Sequence, residues 1–412
     1  MHDQRRSEPR IGIRRVGRFV ATSWLLPGAL LAGVAAPTRL GTGEASDDLQ
    51  AKIQSQLAEA REKAGLPGVT AAVAMPDGRV IVAASGWADA AHQVPLTAAS
   101  RMPAGSVGKT FVAAAILAAV DDKVLDLDSP IERWLGKEPW FGRLPNAKGL
   151  TLRLLLSHRS GVPEGYENDA FVKAVTTDVG RAWSPLDLLR FVFDKKPLSR
   201  PGTKYSYTDM NYVIAGVVFE HAVGQPLFSE IERRILTPLG LDDTLPLARQ
   251  DWRAVVPGFL DRRDPIFAAA ASNGETLRDG RFVFAVQAEY AGGGLISTSR
   301  DLARWAKQLW EGRIFSPPRL AEMLDAKPSE GGARYGLGVS VSQSNAGPVY
   351  GHDGWTPGYR TVVVYFPDLR LGAALQVNSD PMKKHKLEPN DCLSQILSIV
   401  VRTLRQSKPD GA

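Results

Sequence analysis

Apolar positions recur with a helical period over residues 46–64, where Leu49, Ile53, Leu57 and Ala60 fall on one side of an amphipathic helix. The pattern then changes to that of strands. Gly68 to Ala74 and Arg79 to Ala84 are short, small-residue and β-branched runs around Pro76-Asp77-Gly78, which predicts a hairpin. Thr110 to Val120 is apolar throughout, rich in alanine and free of Gly or Pro, so it predicts a buried helix. From about 126 to 285 helices and loops alternate. Ser184-Pro185 opens a helix expected to run through Phe193, Met210 to Ala222 predicts another, and Pro163, Pro185, Pro197, Pro201, Pro226 and Pro238 punctuate the block. Strands return at Tyr335–Val341, Pro348–Tyr350, Arg360–Phe366 and Leu371–Val377, and Leu393 to Leu404 predicts a closing helix.

Strands at both ends of the chain enclose a helical middle. The simplest architecture is an α/β protein of the α+β kind, with one antiparallel sheet built from both ends, covered by helices, and a mainly helical lobe inserted into it. The expected division is 1–45 as a leader, 46–125 with 286–412 as the sheet lobe, and 126–285 as the inserted lobe. A ligand site is expected between the lobes.

Hydrophobic content of 44% and charged content of 23% are ordinary for a globular chain of 412 residues. The net charge of +6 is uneven. Residues 1–45 hold seven arginines against three acids, which leaves only +2 for the rest and gives no basis for a nucleic-acid partner. Arg14, Arg15 and Arg18 precede an apolar stretch, Phe19 to Ala36, interrupted at Pro27-Gly28. That order reads as an export signal to the periplasm or outside, or as an N-terminal membrane anchor if it is not cleaved. Cys392 is the only cysteine, and no His/Cys/Asp/Glu spacing suits zinc, so neither metal nor cofactor is expected.

Ser106-Val107-Gly108-Lys109 opens the apolar run at 110–120. Residues three apart share a helix face, so the Ser106 hydroxyl and Lys109 amine can meet. A serine hydroxyl is a poor nucleophile until a neighbouring base takes its proton, and a desolvated lysine is one such base. The same residues also allow a capping serine with a solvated lysine. A phosphate-binding loop would need a glycine where Pro103 stands, and a nucleophile elbow would need glycine at Ala104. Three further segments carry chemistry-bearing groups. Tyr205 to Tyr212 sets Tyr207 in a loop before a helix, where it either exchanges protons with Ser106 or simply packs. Gly351 to Gly358 holds His352 in a glycine-rich stretch between two strands. Ala291-Gly292-Gly293-Gly294-Leu295 either lines a cleft or permits close packing.

Taken together these segments resemble the serine β-lactamase and penicillin-binding protein family, in the branch of class C β-lactamases, D-alanyl-D-alanine carboxypeptidases and related esterases. Ser106-Val107-Gly108-Lys109 is similar to its first motif, Tyr207-Thr208-Asp209 stands in the place of Tyr-x-Asn, and His352-Asp353-Gly354 in that of Lys-Thr-Gly. Leu154 to Gly161, Pro201-Gly202-Thr203 and Gly293 to Thr298 look familiar too, so the resemblance spans roughly residues 50–400. It implies that Ser106 forms an acyl-enzyme and that Lys109 and Tyr207 share the base role. It further implies that the backbone N–H groups of Ser106 and Trp355 form the oxyanion hole. His352 would orient a substrate carboxylate or assist proton transfer, and Asp209 and Gly354 would contact substrate. Two departures matter. Ionised Asp209 only accepts hydrogen bonds, where asparagine also donates, and it can pair with Lys109, leaving Tyr207 as base. His352 in place of lysine weakens the fixed charge facing a β-lactam carboxylate. The implied function is a serine hydrolase acting on esters or D-amino-acid amides, of the carboxylesterase or D,D-carboxypeptidase kind, with a small-molecule or peptide substrate and cell-wall peptidoglycan as a candidate partner. The alternatives are a true class C-like β-lactamase and a non-catalytic member that binds peptidoglycan or peptide.

Overall fold

The computed structural model describes residues 44–406 apart from 90–91, 167, 262–263, 265, 267–273, 330–331 and 381–387. The leader expected at the N-terminus lies almost wholly outside these residues. Among the described residues no helix is long and apolar enough to cross a membrane.

The chain begins with α1 (Glu44–Ala64), β1 (Gly68–Ala74) and β2 (Val80–Asp89). A 3₁₀ turn at Gly105–Val107 leads into α2 (Gly108–Asp121), and α3 (Asp209–Val223) lies in the helical middle. After α4 (Ser299–Trp310) come β3 (Ser340–Ser344), β4 (Gly347–Thr356), β5 (Tyr359–Phe366) and β6 (Leu371–Val377), then α5 (Pro389–Gln406). A nine-stranded sheet runs in the order Val94–Pro95, β2, β1, β6, β5, β4, β3, Arg334–Tyr335, Lys327–Pro328. Its pairs are antiparallel, and the first and last long strands of the chain meet at its centre, Val69 opposite Val377 and Ala74 opposite Gly372. This is the antiparallel sheet with helical flanks and a helical insertion that the order of elements predicts.

The central strands are buried on both faces, which is why they read as unbroken apolar runs. Within them the two-residue period still sorts side chains. Val69, Ala71 and Val73 of β1, with Leu371, Ala373 and Leu375 of β6, pack under α1 and α5. Ala72, Ala74, Val363 and Ala374 point to the opposite core, against α2 and α4. The predicted face of α1 is buried in full: Leu49, Ile53, Leu57 and Ala60 are at most 1% exposed. α2 is buried nearly all round, as a helix apolar on every side must be. Phe111 stacks on Trp305 of α4 at 4.0 Å, and the Trp305 indole donates to Thr110 Oγ1 at 2.8 Å.

Three boundaries differ from the sequence reading. The helix from Pro185 ends at Leu189, and the chain then turns so that the Asp194 N–H reaches the Arg143 carbonyl at 2.8 Å. The strand expected over 335–341 breaks at Gly336-Leu337-Gly338. Gly338 has φ +76, and a Cβ there would lie 2.8 Å from Ala113 Cβ and 2.9 Å from the Tyr212 hydroxyl, so this break is where the sheet edge meets α2 and α3. The glycine-rich stretch around His352 is not a loop between strands. It lies inside β4, paired with β5 from Tyr350 opposite Tyr365 to Thr356 opposite Tyr359, and the turn comes only at Pro357-Gly358.

Leu375 is fully buried at the centre of the sheet. Leu375→Ala is expected to lower the unfolding free energy by about 2–5 kcal/mol, measured by denaturant titration.

Candidate active site

Ser106 sits in the 3₁₀ turn and Lys109 in the first turn of α2. Side chains three residues apart eclipse in a 3₁₀ turn, which brings this pair together. Lys109 Nζ lies 3.0 Å from Ser106 Oγ. The lysine side chain is fully buried, and its other two partners are the Gly292 carbonyl at 2.5 Å and the Asp209 carboxylate. An ammonium has three donors, matching these three acceptors. An amine fits the same shell, donating to Asp209 and Gly292 and accepting from the Ser106 hydroxyl. A solvated lysine and a lysine presented to a phosphate are both excluded by this burial.

Tyr207 comes from the loop before α3. The loop is tied down by His158, whose carbonyl accepts from the Ser206 N–H at 2.8 Å and whose Nδ1 faces the Thr208 N–H at 3.3 Å. Thr208 caps α3, its Oγ1 accepting from the Met210 N–H at 3.1 Å. Lys109 Nζ lies 5.0 Å from the Tyr207 ring centre. Burial pushes the Tyr207 phenol well above its ordinary range and the Asp209 charge adds to that, while a hydrogen bond with Ser106 opposes it. The resting phenol is therefore protonated. Asp209 pairs with Lys109 as an acid at this place can, but burial does not make Tyr207 a resident phenolate.

Two further carboxyls face this group. Glu164 Oε1 accepts from the N–H groups of Gly165 and Tyr166 at 2.7 and 2.9 Å, and its Oε2 from the Asp209 N–H at 2.8 Å. Burial, then the Asp209 charge, raise Glu164 to about 7. The same two causes raise Glu289 to about 8, with Lys109 pulling the other way. Gly292 and Gly293 make this crowding possible. A Cβ on Gly292 would lie 3.1 Å from Asp209 Oδ1, and one on Gly293 3.1 Å from Glu289 Oε2 and 2.8 Å from the Gly105 backbone. The Ala291–Leu295 stretch thus serves close packing and supplies the Lys109 acceptor. Neither glutamate was read from the sequence: each stands just outside a recognisable stretch, and only the fold brings them to Asp209.

β4 forms the other wall. Gly354 packs on the Ser106 turn so tightly that a Cβ would lie 2.0 Å from the Ala104 carbonyl oxygen. Gly105, at φ +52, has the Trp355 backbone nitrogen 2.6 Å from the place of its missing Cβ, so the Trp355 main chain runs beside Ser106. His352 is 2% exposed. Its Nδ1 donates to the Asp353 carbonyl at 2.7 Å, so its Nε2 accepts from the Tyr335 hydroxyl at 2.8 Å. Burial first, then Lys109, hold His352 down at about 3. It is a neutral imidazole turned to Tyr335, and it offers a substrate carboxylate no charge. Among the described residues no group of three or more His, Cys, Asp or Glu side chains is placed to hold a metal ion.

Residues 51–391 match the family model described as beta-lactamase. The chain belongs to the beta-lactamase family. Among solved structures it is similar to the D-amino acid amidase of Ochrobactrum anthropi SV3 in complex with D-phenylalanine, with a TM-score of 0.73 and 26% identity over 87% of this chain and 99% of that one. Among curated members it is similar to penicillin-binding protein 4* of Bacillus subtilis (25% identical over 69% of this chain and 62% of that protein). It is also similar to esterase EstB of Burkholderia gladioli, 30% identical over 56% of this chain and 59% of the esterase. The match thus spans about three fifths of these two curated beta-lactamase-family relatives.

A carboxyl raised by folding takes up protons in the folded state, so its contribution to stability is present at low pH and is lost as pH rises from the ordinary carboxylate range through its folded value. For Glu289 that loss is complete only above about 8. Glu289→Gln removes it, so the variant is expected to gain stability relative to the parent between about pH 5 and about pH 9, read by denaturant midpoints. A relative loss over that range would contradict the assignment.

Proposed function

We propose that this chain is a serine hydrolase that forms an acyl-enzyme on Ser106 and acts on esters or D-amino-acid amides. The observation that carries the reading is the Ser106 hydroxyl 3.0 Å from a fully buried Lys109 amine, with the Tyr207 phenol on the same side. In its amine form Lys109 takes the Ser106 proton as Oγ bonds to the substrate carbonyl carbon. The N–H groups of Ser106 and Trp355 hold the oxyanion. On collapse the carbon–nitrogen or carbon–oxygen bond breaks, the Tyr207 phenol protonates the leaving group, and the Lys109 ammonium restores the phenol's proton. Water then attacks the acyl carbon, its proton passes to the same pair, and Ser106 leaves as the hydroxyl.

Charge favours amides and esters over the alternatives. Lys109 is already paired with Asp209, the neighbouring Glu164 and Glu289 are raised to about 7 and about 8, and His352 is neutral. A β-lactam, or a peptide ending in a free carboxylate, brings a negative charge that none of these groups is free to answer. An ester or an amino-acid amide does not. The similarity to a D-amino acid amidase and to an esterase supports the same ranking, with peptidoglycan stems behind both. Residues 126–285 act in this reading as the lobe that completes the cleft, and the arginine-led apolar segment before residue 45 directs export.

The test is steady-state turnover of D-phenylalanine amide, a p-nitrophenyl ester and benzylpenicillin by the parent and by Ser106→Ala. The parent is expected to turn over the ester or amide in preference to the drug, and Ser106→Ala, still folded, to lose roughly a thousandfold or more in kcat. Unchanged turnover by Ser106→Ala would contradict acyl chemistry at this serine.

A further inference from the structure

His158 holds a backbone conformation that side chains other than glycine seldom adopt, φ +55, just past Ser157, the C-cap of the short helix Leu152–Leu156. Glycine or asparagine would end that helix at less cost, so the choice of histidine calls for another reason. Three contacts supply it. The His158 carbonyl accepts from the Ser206 N–H at 2.8 Å, on the residue before Tyr207. Its Nδ1 lies 3.3 Å from the Thr208 N–H, on the residue after Tyr207. Its ring packs on the Tyr207 ring with centres 4.1 Å apart at 34°. The loop is thus gripped on either side of the tyrosine, and the tyrosine itself is backed by the same residue.

The ring's chemistry is fixed by its neighbours. A backbone N–H only donates, so Nδ1 must be the unprotonated nitrogen. The Asn211 side-chain nitrogen also donates to it at 3.1 Å, its amide oriented by the Ser160 hydroxyl on Asn211 Oδ1 at 2.5 Å. Nε2 therefore carries the hydrogen, among Tyr205, Tyr212 and Tyr335, whose ring centres lie 6.0, 5.4 and 5.1 Å away. Burial, then Lys109 and His352, keep the imidazole neutral. A charged imidazole would put a hydrogen on Nδ1 against two donors.

We infer that neutral His158 is a positioning residue for the reaction, which sets the place of the Tyr207 hydroxyl against Ser106 through its carbonyl, its Nδ1 and its ring face. The inference rests on the acyl-transfer reading of Ser106, Lys109 and Tyr207. A phenol displaced by about an ångström loses its proton-transfer geometry without altering the substrate pocket, at a cost on the order of 100-fold in rate. The effect therefore falls on kcat and leaves KM in place.

The experiment compares the parent chain with His158→Phe, His158→Asn and Ser106→Ala on a p-nitrophenyl ester. Phenylalanine keeps a ring and loses the acceptor. Asparagine keeps an acceptor where Nδ1 stood and tolerates the backbone conformation. His158→Phe is expected to lose on the order of 100-fold in kcat per folded molecule at nearly unchanged KM, and His158→Asn to recover most of it. Parent-like kcat in both variants, or equal losses with no recovery in asparagine, would overturn the inference. If instead Ser106→Ala stayed active, the acyl-transfer reading itself would have failed. A measurement on the parent protein guards against variants that do not fold. Histidine ¹⁵N spectra are expected to show His158 as the neutral Nε2–H tautomer from about pH 5 to about pH 8, and an imidazolium or an Nδ1–H tautomer in that range would overturn the inference.

Discussion

One buried lysine organises this molecule. Lys109 lies on a helix with almost no exposed face, and its Nζ has left water entirely. Such a polar head is tolerated only when its hydrogen bonds are matched, and in its charged form only with a counter-charge near. Asp209, Gly292 and Ser106 meet that demand, and each arrives from a different part of the chain. The requirement reaches outward. Asp209 is held at the start of α3, Gly292 must show its carbonyl without a side chain in the way, and Ser106 must sit on a turn tight enough to eclipse Lys109. In the proposed reading, nucleophile, base and counter-ion are thus set by the same burial that stabilises the fold.

The sheet brings the fourth wall. β1 and β6 pair at its centre, so the N-terminal part, which carries the Ser106 turn, is joined to the C-terminal hairpin of β4 and β5. The fit between them is backbone on backbone: Gly354 against the Ala104 carbonyl and Gly105 against the Trp355 main chain. Any side chain at these two glycines would push the walls apart. That contact, rather than any single side chain, carries the Trp355 amide to the Ser106 turn.

Much of this was legible in the chain. Leu49, Ile53, Leu57 and Ala60 announced their helix face by spacing alone, and the order of strands and helices gave away the sheet and its insertion. Ser106 and Lys109 were legible because three-residue spacing is a local property. The acids Glu164 and Glu289 were not, since their meeting with Asp209 depends on three separate segments folding together. His352 was legible as a position but not as a state. Its charge depends on burial beside Tyr335 and Lys109, which no local pattern encodes. The stretch around it read as a loop because its glycines suggest turns, whereas pairing with β5 from Tyr350 to Thr356, continued from the β3 pairing that ends at Gly351, makes it a strand.

With Lys109 paired to Asp209 and His352 neutral, these groups offer an anionic ligand no free positive partner. In the proposed reading this favours substrates whose carboxyl end is already an ester or amide, and backbone donors hold the oxyanion. All of that presupposes a covalent intermediate. The most direct test is rapid-quench intact mass spectrometry with an activated ester, followed by peptide mapping. The account predicts a transient gain of one acyl group, located on Ser106 and decaying at the rate of turnover. Turnover with no adduct, or an adduct on another residue, would contradict it.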